Sequence, residues 1–405
     1  MTDPGSRFLP YGRHQIDEDD IAAVVSVLRG DSLTGGPLVA EFEQAFAERV
    51  GARFAVACAN GTAGLHLAAM ALGLGPDDAV IVPTLTFLAT ANAAHYVGAE
   101  VVFADVDSAT GLMRPEDLQE AFAKAGTRKA RAVIPVHLNG QCVDMESVAE
   151  FAGRNGLRII EDACHAIGAT YRTRSGEDVS VGACRHSDMA VFSLHPVKTI
   201  AMGEGGVVTT NDPDLHAALL RLRNHGMVRE AAHFVQRDEA FDADGQPNPW
   251  YYEMPEPGYN YRASEIHCAL GLSQLRKLDR FLARRRELAD AYDTALNPLA
   301  PAMRPVPRVM GCMSGWHLYV VHIDFSAAKI GRAGLMHHLR ASNIGTQVHY
   351  LPVHRQPFWK KQTPHLQLAG ADAYYQSCLS LPLFPAMTTA DVANVADGLR
   401  QWTHR

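Results

Sequence analysis

Short, continuously apolar runs alternate with longer segments of helical spacing through the first half of the chain. The apolar runs predict buried strands at 54–58, 79–82, 101–104, 132–136, 158–160, 189–192 and 206–209. Apolar residues at helical spacing predict helices between some of them, at 63–74, 86–97 and about 144–155. Because these strands are apolar throughout and separated by helices, we expect an α/β domain whose mostly parallel sheet is covered on both faces.

Polar residues follow three of the predicted strands. Asn60, Asp162 and Ser193 each come at the carboxyl end of an apolar run. In open α/β sheets, ligands bind beyond the carboxyl ends of the strands. The pattern therefore predicts a site that contains all three residues.

The pattern changes after residue 226. Residues 228–258 are polar and rich in proline, and they predict a long loop. A helical stretch from 263 to about 296 then leads into strands at 318–323 and 347–350 and helices at 331–342 and 390–403. We expect a large domain over 1–296, with an N-terminal arm over about 1–30, and a small α+β domain over 297–405.

Composition removes several classes of protein. The chain has 405 residues, 47% hydrophobic and 20% charged, with a net charge of −7, which is typical of a globular protein of two or three domains. No basic stripe indicates nucleic-acid binding, and no apolar run is long enough to cross a membrane. Seven scattered cysteines and no signal-peptide pattern favour a reduced, cytoplasmic protein.

Lys198 and Asp162 are the candidate catalytic pair. Asp162 ends an apolar strand, and Lys198 follows the next strand in F-S-L-H-P-V-K-T-I. This order is typical of enzymes that use pyridoxal 5′-phosphate (PLP), where a lysine forms a Schiff base with the aldehyde and an aspartate keeps the pyridine nitrogen protonated. Once the lysine amine is released from the Schiff base, it could also move a proton between Cα of the substrate and the cofactor. The alternatives are a surface lysine in a turn for Lys198 and a cap at the end of a strand for Asp162.

The phosphate of PLP requires an anion site, and Gly61, Thr62 and Ala63 at the start of a predicted helix supply a candidate. Backbone N–H groups and a hydroxyl at a helix N-terminus bind anions. Ser193 is a second candidate phosphate ligand. The same G-T pair also occurs in ordinary turns between a strand and a helix.

Two aromatic residues are candidates for the face of the PLP ring. Phe87 could stack on it, and His165 could pack on it or hydrogen-bond near it. The alternatives are an ordinary core phenylalanine and a structural histidine. His349 and His354 lie five residues apart, but no third ligand accompanies them, so we predict no metal site.

Motifs along most of the chain resemble one family. They are G-T-A-G-L-H-L-A (61–68), P-T-L-T-F-L-A-T-A-N-A (83–93), E-D-A-C-H-A-I-G-A (161–169), F-S-L-H-P-V-K-T-I-A-M-G-E-G-G (192–206), L-R-N-H-G (222–226), G-Y-N-Y-R (258–262), A-L-G-L-S-Q-L (269–275) and V-H-Y-L-P-V-H (348–354). In this order, they are similar to the DegT/DnrJ/StrS sugar aminotransferases from about residue 9 to 400.

The resemblance implies a PLP-dependent transferase of fold type I, like aspartate aminotransferase, with a seven-stranded large domain. It implies a homodimer whose active sites are shared between subunits. It assigns Lys198 to the Schiff base and Asp162 to the ring nitrogen. It assigns Thr62, Ala63 and Ser193 to the phosphate, Phe87 and His165 to the ring, and Asn224 to the phosphate of the partner subunit's site. Retained Lys198 favours amino transfer over the dehydration catalysed by relatives with histidine there.

Within the family, the motifs are similar to the C4 aminotransferases of pseudaminic acid biosynthesis. Those enzymes use L-glutamate, with pyridoxamine phosphate as an intermediate, to make UDP-4-amino-4,6-dideoxy-N-acetyl-β-L-altrosamine. Met202 departs from a segment that is often rich in threonine, and 228–258 is longer than in some relatives. Candidate substrate residues are His195, Asn260, Arg262, His349 and Tyr350.

Four alternatives remain beside this function. A Rossmann oxidoreductase is disfavoured, because G-L-G-P-D-D (73–78) lacks a third glycine and follows a helical pattern. A PLP-binding regulatory protein would keep the cofactor without turnover. An enzyme of free amino or keto acids commonly needs an arginine for the carboxylate, and no clear candidate stands out. The substrate could also be another nucleotide sugar, such as GDP-4-keto-6-deoxymannose or a dTDP-3- or 4-keto sugar.

Overall fold

A computed structural model describes residues 7–125, 129–325 and 331–403. The strands are β1 Phe54–Cys58, β2 Asp78–Pro83, β3 Glu100–Ala104, β4 Lys129–Val133, β5 Arg158–Asp162, β6 Thr170–Arg172, β7 Asp178–Ser180, β8 Met189–Ser193, β9 Gly206–Thr210, β10 Met303–Pro305, β11 Cys312–Met313, β12 Tyr319–Ile323 and β13 Cys378–Leu381. The ends of the predicted arm and of the predicted small domain, 1–6 and 404–405, lie outside the described residues.

The helices alternate with these strands through the first half of the chain and dominate the second half. They are α1 Glu18–Leu28, α2 Pro37–Val50, α3 Gly61–Ala71, α4 Leu88–Tyr96, α5 Pro115–Ala123, α6 Met145–Asn155, α7 Pro213–Leu222, α8 Arg237–Ala240, α9 Glu265–Leu275, α10 Leu278–Leu296, α11 Arg332–Ala341, α12 Pro357–Gln362, α13 Ala369–Ser377 and α14 Thr389–Thr403. Within the described residues, none is long and apolar enough to cross a membrane.

The central sheet has seven strands in the order β1-β9-β8-β5-β4-β2-β3. Strand β9 runs antiparallel to its neighbours β1 and β8, and the other pairs are parallel. Its strands are almost wholly buried because helices cover both faces. The predicted fold class is therefore confirmed.

Close packing fixes the start of α3 against the sheet. A Cβ atom at Gly64 would lie 2.8 Å from Cγ1 of Val191 on β8, so the helix can approach the strand only with glycine there. The helix begins with Asn60 as its N-cap, whose Oδ1 accepts a hydrogen bond of 2.9 Å from the N–H of Ala63. The N-terminus of α3 thus lies beside the carboxyl end of β8.

A second hydrophobic core lies under the sheet β10-β12-β13. It includes Leu288 and Tyr292 from the second half of α10, Tyr319 from β12 and Leu399 from α14. Leu9 near the N-terminus also belongs to it. This core begins inside α10, upstream of the predicted boundary at 296/297, and that boundary stays a prediction.

The predicted helix over 263–296 is two helices, α9 and α10. Lys277 lies at the turn between them, and its Nζ pairs with the carboxylates of Asp17 and Asp20. Asp20 also accepts hydrogen bonds of 2.6 Å from Ser273 and 2.8 Å from Gln274. The turn therefore docks α1, in the segment predicted as an arm, on α9.

The predicted strand at 347–350 is wrong. Only Gln347 pairs, in a single antiparallel bridge to Ser380 on the edge of β13 that does not face β12. The segment 348–351 instead lies irregularly at a cavity.

The predicted loop over 228–258 contains a 3₁₀ turn at Ala231–His233 and the short helix α8. It has a small hydrophobic cluster of its own, formed by Val228, Phe234 and Ala240. The carboxylate of Glu253 accepts hydrogen bonds of 2.9 Å and 2.7 Å from the N–H groups of Val235 and Gln236. The segment is therefore an ordered insert.

Candidate active site

A cavity of about 640 Å³ opens at the carboxyl ends of β1, β5 and β8. Ten of the fourteen sequence-predicted site residues line it: Gly61, Thr62, Phe87, Asp162, His165, Ser193, His195, Lys198, His349 and Tyr350. The parallel pairing of β5 with β8 brings Asp162 close to Ser193 and to the turn that carries Lys198. Ala63, Asn224, Asn260 and Arg262 do not line this cavity.

Asp162 is the last residue of β5, and only 5% of its surface is exposed. Its Oδ2 accepts a hydrogen bond of 2.7 Å from the hydroxyl of Thr90, and its Oδ1 accepts one of 3.1 Å from the N–H of Cys164. The two bonds stabilise a buried carboxylate and fix its orientation. A carboxylate held in this way can pair with a protonated ring nitrogen.

Lys198 lies in the turn that follows β8. Its N–H donates to the carbonyl of His195 at 2.8 Å, and the N–H of Met202 donates to the carbonyl of Leu194 at 2.9 Å. Burial lowers the pKa of the Lys198 amine, while the nearby Asp162 carboxylate acts in the opposite direction. Near pH 7, a larger share of this amine is neutral than of a lysine amine exposed to water. A neutral amine can act as a nucleophile and as a base.

An anion cradle lies where α3 meets β8. A Cβ atom at Gly61 would lie 2.9 Å from Cβ and 3.3 Å from Oγ of Ser193, so the absence of a side chain brings the helix start to the serine hydroxyl. The first N–H groups of a helix have no partner within it. Gly61, Thr62 and Ser193 therefore fit a phosphate, and with Lys198 and Asp162 they fit PLP. Ala63 differs because its N–H donates to Asn60.

Aromatic rings face the cavity above these groups. Phe87 is 55% exposed, so it is not a core residue, and its ring centroid lies 6.1 Å from that of Tyr350. His165 is buried and stacks beside Tyr350 at 6.0 Å. These rings can pack on a planar cofactor.

Three buried histidines surround Lys198. Burial is the main cause that lowers the pKa of His165 and of His317 well below the usual range, and it lowers the pKa of His349 to about 3. The positive charge of Lys198 acts in the same direction on each. All three rings are therefore neutral near pH 7.

Asn224, Asn260 and Arg262 come together outside the cavity. Asn224 and Asn260 pair in an antiparallel bridge, and the Arg262 guanidinium donates to the side-chain oxygen of Asn224. The segment is tied to the end of β1, because the N–H of Ala59 donates to the carbonyl of Tyr261 at 2.7 Å. Asn260 is exposed, and the other two are partly exposed. None reaches the cavity of its own subunit.

Sequence reasoning missed several lining residues, among them Tyr11, Glu204, His317 and Gln347. Tyr11 comes from the N-terminal segment and lies 5.3 Å from the ring of His349. His317 is 4% exposed, and its Nδ1 has no hydrogen-bond partner. His317 directly precedes the predicted strand at 318–323, a position that could have drawn notice.

No group of three or more His, Cys, Asp or Glu side chains in the described ranges is arranged to hold a metal ion. His354 has a structural partner instead: its Nδ1 lies 2.7 Å from the hydroxyl of Thr84. That bond ties the 353–355 turn to the segment after β2.

The model of the DegT/DnrJ/EryC1/StrS aminotransferase family matches residues 14–400. The chain belongs to this family. It is a PLP-dependent sugar aminotransferase. The predicted cofactor is thereby confirmed, and the residues of the cavity fit it.

Individual relatives cover nearly the whole chain. The spore coat polysaccharide biosynthesis protein SpsC of Bacillus subtilis (strain 168) is 38% identical over 403 residues, which are 99% of this chain and 98% of SpsC. PseC of Helicobacter pylori, an aminotransferase involved in the biosynthesis of pseudoaminic acid, is 27% identical with a TM-score of 0.86, over 98% of this chain and 100% of PseC. DesV of S. venezuelae, solved with a ketimine intermediate, is 31% identical with a TM-score of 0.83, over 99% and 100% of the two chains.

Proposed function

We propose that this sugar aminotransferase moves the amino group of L-glutamate to C4 of a UDP-linked 4-keto-6-deoxy-N-acetylhexosamine, for pseudaminic acid or a related glycan. The observation that carries the proposal is the meeting of Lys198, Asp162 and the anion cradle in one open cavity. Glutamate leaves as the corresponding keto acid, and the sugar gains an amine in place of its carbonyl oxygen.

Bound PLP supplies an electron sink for the carbon that loses a proton. Asp162 holds the ring nitrogen through a carboxylate that Thr90 and Cys164 orient. Gly61, Thr62 and Ser193 hold the phosphate. The Lys198 amine, whose pKa burial lowers, takes the Cα proton of glutamate and later returns a proton to C4 of the sugar.

Polar side chains that form hydrogen bonds favour a sugar substrate. His195, His349 and Tyr350 line the cavity with Gln347, and such groups suit hydroxyl and acetamido substituents. His349 keeps its orientation because its Nδ1 lies 2.7 Å from the hydroxyl of Ser380. The likeness to PseC, together with V-H-Y-L-P-V-H at this wall, supports the UDP-linked 4-keto N-acetyl sugar.

Other nucleotide sugars are the second candidate. The 38% identity to SpsC, whose name refers to spore coat polysaccharide, favours a glycan other than pseudaminic acid. GDP-4-keto-6-deoxymannose and dTDP-linked 3- or 4-keto sugars belong in this class.

The active site belongs to a homodimer in this proposal. Asn224 and Arg262 lie near the phosphate end of β1 but outside their own cavity, a placement that suits delivery to a second copy. Tyr96 and Tyr259 are exposed rings on one part of the molecule, because both contact the ring of His66. A second copy would bury them and bring Asn224 to the partner's phosphate and Arg262 to its nucleotide diphosphate.

We also assign the enzyme to the cytoplasm, where nucleotide sugars are made. All seven cysteines are free thiols, and five of them are buried. Free thiols persist in reducing compartments.

A half-reaction tests the substrate. The PLP enzyme is converted to the pyridoxamine form with glutamate, freed of excess donor, and mixed with single UDP-, GDP- and dTDP-linked keto sugars. Absorbance reports return of the PLP form, and mass spectrometry reports an amine on the sugar. We expect rapid return with a UDP-4-keto-6-deoxy-N-acetyl sugar.

The other outcomes are equally specific. Return only with a GDP sugar, a dTDP sugar or a 3-keto sugar would contradict the UDP C4 assignment and support the second candidate. No return with any sugar, although the enzyme holds PLP and reacts with glutamate, would contradict both. Failure of the PLP enzyme to react with glutamate would contradict the assigned amino donor.

A further inference from the structure

A chain of hydrogen bonds runs from the backbone at Asn139 to the hydroxyl of Tyr350 in the cavity. The N–H of Asn139 donates to Nδ1 of His165 at 3.3 Å, and Nε2 of His165 lies 3.0 Å from the Tyr350 hydroxyl oxygen. A neutral imidazole has one nitrogen that donates and one that accepts. Because Nδ1 accepts, Nε2 carries the hydrogen and donates it to Tyr350.

The surroundings keep His165 in this one form. Its ring is buried, and burial together with the charge of Lys198 lowers its pKa well below the usual range. A proton on Nδ1 would also point at the N–H of Asn139, and two donors cannot form a hydrogen bond with each other. The direction of the bond from His165 to Tyr350 is therefore fixed.

The donor at the start of the chain is itself immobilised. The side-chain amide of Asn139 donates to the hydroxyl of Tyr374 at 2.9 Å. A Cβ atom at Gly140 would lie 3.0 Å from the carbonyl oxygen of His165, so the two segments pack closely. The ring of His317 lies 4.4 Å from that of His165 on the wall of the cavity. These contacts hold the ring of His165 in place.

The Tyr350 hydroxyl then has one hydrogen left to donate. Its oxygen accepts from His165, and no other described residue hydrogen-bonds this hydroxyl. Tyr350 lines the cavity with Lys198 and Asp162. Tyr350 is half-buried. Once a ligand fills the cavity and excludes water, this donor needs an acceptor there, because a buried donor without a partner costs about 1–3 kcal/mol.

We propose that Tyr350 donates its hydroxyl hydrogen to an oxygen acceptor bound in the cavity, and that His165 is the positioning residue that fixes the direction of this bond. Two acceptors share the required chemistry: the phenolate oxygen of PLP and the keto oxygen of the sugar. The second rests on the proposed function, and the first does not. No proton is transferred along the chain.

The test compares Tyr350→Phe with Tyr171→Phe. Tyr171 is a matched control, because its hydroxyl also pairs with a histidine, Nδ1 of His186 at 2.7 Å, but lies outside the cavity. The first measurement follows the absorbance of the PLP enzyme against pH without any sugar. The second measures the single-turnover rate and the apparent affinity of the pyridoxamine enzyme for its sugar.

A bond to the phenolate stabilises the deprotonated form of the nitrogen that joins Lys198 to PLP, because that form leaves the negative charge on oxygen uncompensated. If the phenolate is the acceptor, we expect Tyr350→Phe to raise the pKa of this nitrogen by about one unit. If the sugar is the acceptor, the pKa stays unchanged and the sugar half-reaction slows about tenfold or more. Both results support the proposal, and Tyr171→Phe should show neither.

An unchanged pKa together with an unchanged sugar half-reaction in folded Tyr350→Phe would overturn the proposal. His165→Phe gives a second variant if Tyr350→Phe does not fold, because it removes the donor that directs the hydroxyl and should shift the same quantity. In the variant that carries both His165→Phe and Tyr350→Phe, the effect of Tyr350→Phe should be smaller than in the single variant. Fully additive effects of the two changes would contradict the positioning role. A shifted pKa of the nitrogen that joins Lys198 to PLP, without turnover of any sugar, would contradict the proposed substrate and still support the role of Tyr350.

Discussion

The two sides of the cavity are built in different ways. The cofactor side consists of residues at strand ends and at the turns that follow them, namely Gly61, Thr62, Asp162, Ser193 and Lys198. The opposite side, which we call the small-domain side because all of its residues except Tyr11 belong to the predicted small domain, consists of Tyr11, His317, Gln347, His349 and Tyr350. Its residues come from irregular segments far apart in the chain.

The difference indicates how each side can vary. Neighbouring strands of one sheet fix the cofactor side, because the pairing of β5 with β8 places Asp162 near the turn that carries Lys198. The small-domain side depends on single hydrogen bonds such as the one between His349 and Ser380. We expect changes on the cofactor side to abolish chemistry, and changes on the small-domain side to alter substrate choice and stability.

Lys198→Ala gives the largest expected effect. It removes the group that bonds to the cofactor aldehyde and moves the proton, so turnover should fall about 10³-fold or more with the fold intact. Borohydride reduction and peptide mapping should find PLP on Lys198 in the native enzyme and on no residue of the variant. Lys124→Ala, at an exposed lysine, is the control. Normal turnover by Lys198→Ala would contradict the mechanism.

Asp162→Ala should lower turnover about 10²-fold while some PLP still binds, because the cradle and Lys198 remain. Asp162→Asn tests charge alone, since its amide oxygen can still accept from Thr90. We expect it to be nearly as inactive. A rate like that of the native enzyme in either variant would mean that another residue holds the ring nitrogen.

Under the proposal that Asn224 reaches the phosphate site of a second copy, Asn224→Ala should weaken PLP binding about tenfold, because one hydrogen bond is lost. The measurement is the PLP dissociation constant of the enzyme by absorbance titration. Asn155→Ala, remote from the cavity, is the control. Unchanged affinity would remove the support that Asn224 gives to a shared active site.

The buried histidines give the smallest effect, on stability. The pKa of folded His349 is about 3, below that of an unfolded histidine. The contribution of His349 to the free energy of unfolding is therefore fully present above the unfolded pKa near 6.5. It is lost as pH falls toward 3, by about 1.4 kcal/mol per pH unit. Urea unfolding of the PLP-free protein at pH 7 and pH 5 measures this slope.

His349→Gln should make the pH slope shallower, while His14→Gln, at an exposed histidine, should leave it as in the native protein. Since His165 and His317 add slopes of the same sign, the single change should remove only part of it. A slope that does not change in His349→Gln would mean that His349 is hydrated.

The sequence predicted the cofactor side well, because each of its signals is local. The apolar run 158–160 marks β5, and Asp162 follows at its end. The turn residues Gly61 and Thr62 open α3 directly after β1. Such signals need only the neighbouring residues and the rule that ligands collect at carboxyl strand ends.

The small-domain side could not be predicted in the same way. His349 and Tyr350 were expected on a strand, but the pairing of their segment with β13 ends at Gln347. Tyr11 and His317 enter the cavity through tertiary packing that no local pattern records. The break between α9 and α10 likewise depends on the pairing of Lys277 with distant Asp17 and Asp20.

The most direct test of the central claim is a single turnover with ¹⁵N-labelled glutamate and a UDP-linked 4-keto-6-deoxy-N-acetylhexosamine. Nuclear magnetic resonance of the product then locates the label. The account predicts ¹⁵N bonded to C4 of the sugar, with loss of the label when Lys198 is replaced by alanine. A label at another carbon, or an unlabelled sugar recovered from an enzyme that has already reacted with glutamate, would contradict it.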